Sequence, residues 1–186
     1  MLRRILAAGA AGGIALMMWT AVGNVGFGFA ARTRMGWIPG ERAVYEVLKA
    51  NIAEPGAYLA NPALDASGRF PPGEPVFGIS YAGFGHEAAG FNSVIDLVLT
   101  FGAALLVAAL LALAAPAVQS RYRSRVAFIT LAGLLLAVAS DLPRFGIGGY
   151  SAGLTLAIAA FNLGAWVLAA LAMAWAFGTP ARVAGS

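Results

Sequence analysis

Four long apolar blocks run from about Ile5 to Ala30, Phe91 to Ala117, Val126 to Ser140 and Tyr150 to Phe177, and they limit what this chain can become. A helix crossing a bilayer needs about 20 consecutive apolar residues, because the hydrocarbon layer is ~30 Å thick and each residue rises ~1.5 Å. The third block is short by that measure and must extend at one end to cross. Only 11% of the residues are charged and 60% are hydrophobic, whereas a soluble domain carries about 25% charged residues. A water-facing surface cannot be built from so few charges. The fold expected is an all-α membrane protein: a four-transmembrane-helix bundle with a small α+β extracytoplasmic region between spans one and two.

The first block follows Arg3 and Arg4 and ends in small residues near Ala30 and Ala31, the outline of a secretory signal. Its apolar stretch exceeds the roughly 7–15 residues of a signal core, so a retained first span over residues 1–30 is expected. Residues 92–178 then hold the other three spans, and 179–186 form a tail.

The segment 31–91 differs in character. It holds most of the prolines, nearly all the acids and the single histidine. Pro39, Gly40 and Glu41 supply a helix start, and Val44, Val47, Leu48 and Ile52 recur at helical spacing, which predicts a short helix over 40–52. Asn51 and Pro55-Gly56 stop it. Residues 57–59 and 76–81 read as short strands, paired as an antiparallel hairpin across a turn-rich stretch.

Orientation follows from arginine placement. With four spans, Arg3, Arg4, Arg121, Arg123, Arg125 and Arg182 all fall on one side, while the opposite short turn has Arg144 offset by Asp141. Positive residues in short loops stay cytoplasmic. Both termini are therefore expected in the cytoplasm of a bacterial cell, with 31–91 in the periplasm and the bundle in the inner membrane. The net charge of +4 belongs to these flanks. No basic stripe with interleaved aromatics offers a nucleic-acid footprint.

The residues that carry chemistry are few. The chain has no cysteine, which excludes disulfides, thiolate metal sites and cysteine nucleophiles. His86 is the one candidate for a cofactor ligand, but a lone histidine does not make a metal site of about four ligands. It reads first as a polar loop residue beside Gly83 and Gly85. Asp96 lies one turn into the second span, where an ionisable group is a functional candidate and equally a charge suited to a helix N-terminus at the headgroup level. Asn24, Thr155 and Asn162 are uncharged intramembrane polar residues suited to bonding neighbouring helices. No catalytic motif is present, so the chain is read as not an enzyme, with no catalytic residue, no metal and no resident cofactor predicted. A bound lipid or pigment remains compatible.

Small residues form the clearest positive signal. Gly9 and Gly13 make a Gly-x-x-x-Gly pair with Gly12 beside them, and Ala160 and Gly164 repeat the spacing. Such faces let helices approach closely in lipid, where packing drives association. Trp37, Tyr150 and Trp175 flank spans as interfacial anchors.

The stretch from Trp37 to Ile52, followed by Glu54-Pro55-Gly56-Ala57-Tyr58, resembles a family of small uncharacterised bacterial four-span membrane proteins. The resemblance implies a first span, a short helix, a turn and strand, and three further spans. That family has no established activity, so no site residue carries over.

Together these readings point to a non-catalytic accessory or structural subunit of a larger membrane assembly, with a respiratory or photosynthetic complex as the kind of host. Its partners would be other membrane subunits and lipids. The alternatives are a small oligomeric transporter or channel, in which Asn24, Asp96 and Asn162 converge on a hydrated path, and a lipid- or pigment-binding protein with His86 near its pocket.

Overall fold

The computed structural model of the 186-residue chain describes residues 1–29, 38–61, 73, 75–81, 83, 88–145 and 150–178. Four helices in it are long and apolar enough to cross a membrane. The chain is thus a multi-pass membrane bundle with a small α+β region between spans one and two. His86 and Trp37 lie outside the described residues.

Helix α1 spans Leu2–Gly26, so it starts before Ile5 and stops short of Ala30. Gly28, at φ +61°, turns the chain just beyond it, a conformation that glycine adopts without steric cost. In the separate α+β unit, α2 spans Glu41–Asn51, with Glu41 in its first turn and Lys49 in its last, each complementing the helix dipole. Strands β1 (Gly56–Ala60) and β2 (Phe77–Tyr81) pair antiparallel, Gly56 opposite Tyr81 and Ala60 opposite Phe77. The Asn61 amide extends that pairing by donating to the Pro75 carbonyl at 3.2 Å. Gly83 closes against Pro55: its φ is +91°, and a Cβ there would lie 3.1 Å from the proline ring.

Helix α3 spans Ala88–Leu113. It ends earlier than Ala117 because Pro116 opens the short α4, Pro116–Ser120, and the residue before a proline is driven out of the helical region. Helix α5 spans Tyr122–Leu136 and runs on without a break through a π-helical turn, Ala137–Asp141, and a 3₁₀ turn, Leu142–Arg144. The third span therefore lengthens at both ends, not one. Helix α6 spans Ala152–Phe177; the Ser151 hydroxyl accepts from the Leu154 amide at its start, and Gly178, at φ +66°, ends it.

The core lies where α1, α3, α5 and α6 meet and is built largely of alanine. Ala104, Ala108, Ala169, Ala170 and Ala174 are fully buried beside Leu111, Ile129 and Met173. Glycines on α1 face two helices at once. Gly9 and Gly13 lie against Leu105 and Phe101 of α3, while a Cβ on Gly12 would come within 2.6 Å of Met173 on α6. Gly23 meets Phe161, and Gly164 lies under the Trp19 ring, whose indole N–H donates to the Phe161 carbonyl at 3.0 Å. Ala160, its partner in the small-residue spacing, is exposed instead and takes no part in the buried core.

One end of the bundle is bound by polar side chains that satisfy helix carbonyls. Arg4 donates to the Phe177 and Gly178 carbonyls at 2.8 Å each and lies 4.1 Å over the Phe177 ring. Arg125, only 4% exposed, donates to Ala174 on α6 at 3.1 Å and to the Gln119 carbonyl at 2.6 Å. Gln119 in turn donates to Ala112 and Ala114 at the end of α3. Carbonyls in a last helical turn have no partner further along the helix, and these side chains supply one.

Replacing Gly13 by leucine forces that side chain into the Phe101 ring and should destabilise the bundle by about 1–3 kcal/mol. Gly102→Ala, at a position with open space around it, should cause no loss. Thermal unfolding in detergent, followed by circular dichroism, compares the two.

Candidate functional site

The buried positions of the third span fall at steps of four: Arg125, Ile129, Gly133, Ala137 and Asp141. An α-helix has 3.6 residues per turn, so a four-residue step drifts around its axis. The π-helical turn at 137–141 takes up an extra residue per turn and brings Asp141 back towards α6. Val138, Ala139 and Ser140 are exposed while Asp141 is 2% exposed.

Asn162 on α6 donates from Nδ2 to Asp141 Oδ2 at 2.8 Å. Arg144 Nη2 lies 3.7 Å from Oδ1, and its side chain is 44% exposed. That ion pair is too long for a hydrogen bond, so among the described residues the Asn162 amide is the carboxylate's one hydrogen-bond donor. A carboxylate can accept several hydrogen bonds, and among the described residues the Asp141 oxygens take one.

Asp141 lines a cleft of about 270 Å³. Its floor is Leu16 on α1, Asp141, and Asn162, Ala165 and Trp166 on α6; its rim includes Leu99 on α3 and Leu136 and Ser140 on the third span. The floor residues are buried or half-buried and these rim residues are exposed. Thr20 and Thr100 add hydroxyls, and Thr20 directs its own hydrogen to the Leu16 carbonyl at 3.0 Å, leaving its oxygen as an acceptor.

Depth follows from position along the helices. Asn162 is ten residues past Ala152 and Leu16 ten residues before Gly26, so each sits about 15 Å from that helix end. Asp141 lies three residues, about 4.5 Å, before Arg144 at the end of its own span. Leu99 and Leu136 lie within their spans, so the cleft opens on the flank of the bundle, towards the Arg144 end of the third span. Its lining offers chiefly acceptors: carboxylate oxygens, the Asn162 carbonyl and hydroxyls. Such a lining suits a hydrogen-bond donor or a cation.

Of the intramembrane polar residues singled out from sequence, only Asn162 lines this cleft. Asn24 and Asp96 are exposed and form no part of it, so the three do not converge. Thr155, two turns before Asn162 on α6, is 2% exposed and its hydroxyl has no hydrogen-bond partner among the described residues. Among those residues no three histidine, aspartate or glutamate side chains gather as a metal set.

Asp141 is the residue that sequence reasoning placed wrongly, as a turn acid opposite Arg144. Two signals pointed inward. The third apolar block is too short to cross unless it lengthens, and its C-terminal extension would begin at Asp141; Asp141 also continues the four-residue repeat of Ile129, Gly133 and Ala137.

Comparison with protein-family models, with curated proteins and with solved structures finds no match. What the structure supports is a four-span apolar helix bundle of the kind a small membrane protein has, and no family.

Asn162→Leu leaves the buried carboxylate without its donor and should destabilise the bundle by about 2–3 kcal/mol. The double variant Asp141→Leu, Asn162→Leu should recover much of that loss, because an apolar pair leaves nothing unsatisfied. Unfolding titrations in mixed micelles give both values; equal losses in the single and double variants would contradict the pairing.

Proposed function

We propose that this chain is a non-catalytic accessory subunit of a larger membrane assembly of the bacterial inner membrane, a respiratory or photosynthetic complex being the class of host. The observation that carries the reading is the lateral cleft. Its floor holds the buried carboxylate of Asp141, and its mouth lies between the exposed Leu99 and Leu136 of two membrane-spanning helices. Lipid chains offer such a floor no hydrogen bonds, whereas a neighbouring subunit can supply donors and cover the opening. The spans also keep most of their apolar surface outward: only 22% to 33% of the most apolar stretch of each is buried. In this reading both termini are cytoplasmic, as the arginines of the short loops imply.

The same cleft favours a second reading, a small oligomeric carrier or a protein that binds a lipid or pigment. Asp141 and Asn162 would then contact the bound or transported species directly. An ionisable residue inside a membrane is a functional candidate by default.

Native purification from the source membrane in mild detergent, with mass spectrometry of all that co-migrates, separates the two. The subunit reading expects a stoichiometric larger partner that survives gradient separation. It also expects Leu136→Trp, which fills the mouth of the cleft, to weaken that association about tenfold, a loss of ~1.4 kcal/mol. A lone monomer or homo-oligomer would sink the subunit reading and direct attention to uptake and ligand-binding assays on Asp141 and Asn162 variants.

A further inference from the structure

The three arginines at the corner between α3 and α5 have different fates. Arg125 is buried and occupied by backbone carbonyls. Arg121 and Arg123 are exposed, and neither guanidinium makes a hydrogen bond or ion pair among the described residues. No acid is available along the spans to answer them: after Asp96 the sequence contains one acidic residue, Asp141, and it lies at the far end of the third span. Among the described residues no acidic side chain answers them, which leaves this corner open to an anion from outside the bundle.

Arg123 also forms the mouth of a groove of about 570 Å³ on the outer face of the bundle. The groove runs from Tyr122 and Arg123 past Val126 and Thr130 to Leu131, with Leu171 of α6 as its opposite wall. These α5 positions recur at steps of three and four, so they lie along one helix face. Nine residues separate Tyr122 from Leu131, a length of about 14 Å, close to half of the hydrocarbon layer. The Tyr122 hydroxyl donates to the Leu171 carbonyl at 3.2 Å and joins the two walls at the mouth. Thus a free cation stands at one end of an apolar trough as long as one leaflet is deep.

We propose that this groove is a binding site for an anionic phospholipid, one acyl chain lying along Val126–Leu131 and the phosphate meeting Arg123. The pairing follows from the two ends of the groove: an anion where the chain has an unanswered arginine, and a hydrocarbon tail where it has only apolar wall. An annular lipid held by apolar contact alone would show no headgroup preference. This inference depends on the membrane-spanning fold and not on the host assembly, so either can fail without the other.

The test is native mass spectrometry of the full-length protein in a neutral detergent, with dioleoyl phosphatidylglycerol or dioleoyl phosphatidylethanolamine added at equal concentration. The wild type should retain the anionic lipid about fivefold better, the share expected of one basic residue at a membrane surface. Arg123→Gln should abolish that preference, and Leu131→Trp, at an exposed position, should block retention while circular dichroism stays unchanged. Equal retention of the two lipids by the wild type would overturn the proposal. So would a preference that persists in Arg123→Gln, or competition by inorganic phosphate as effective as that by the lipid.

Discussion

Inside hydrocarbon a polar group has no water to turn to, and each must find its partner within the protein. Almost every polar contact in this bundle answers that requirement. At one end, Arg4, Gln119 and Arg125 reach the last carbonyls of α3 and α6 and hold three helix ends in one network. A buried arginine is expensive unless its donors are used; here its nitrogens bond carbonyls that would otherwise be unpaired. Trp19 places its own polar group in a different way, donating its indole N–H to the mid-helix Phe161 carbonyl while its ring covers Gly164. With the ends satisfied, alanine and glycine faces between them can close to van der Waals contact, which is the attraction left to helices when the solvent is as apolar as they are.

The fold was largely legible because its signals are long. Long apolar blocks and a proline-rich interruption specify four spans and a segment of different character between the first two, without any packing argument. The helix and hairpin of that segment were legible too, through Pro39-Gly40, Pro55-Gly56 and helical spacing at Val44, Val47 and Leu48. Boundaries were less so. Pro116 marks the first residue of a new helix, not an interruption within the old one, and that distinction depends on the backbone just before it.

The candidate site was legible only in part, for a physical reason. Asn162 stands out because an amide in the middle of an apolar span has few explanations. Asp141 does not, because an acid three residues before an arginine and two before a proline looks like a turn. Its inward position depends on a π-helical turn, which has no composition of its own and is set by how α5 lies along α6. The same limit applies to the small-residue pairs. Gly9 and Gly13 meet α3, while Ala160, in an equivalent pattern, faces outward; spacing identifies a face and says nothing of what it meets.

The Asp141–Asn162 pair is also the feature least explained by stability. A buried carboxylate with one hydrogen bond and an exposed arginine 3.7 Å away is a costly arrangement, and apolar residues of similar volume commonly hold such positions as well or better. Contrast Arg125, whose donors complete helix ends that need completing. Asp141 completes nothing: its helix has already passed into a π turn, Asn162 is mid-helix with its backbone bonded, and the carboxylate lines an open cleft. A group that costs stability and closes no gap in the fold is accounted for by what it contacts from outside. That reasoning ties the proposed occupant, whether a partner subunit or a bound molecule, to a hydrogen-bond donor or a positive charge, presented to the mouth between Leu99 and Leu136.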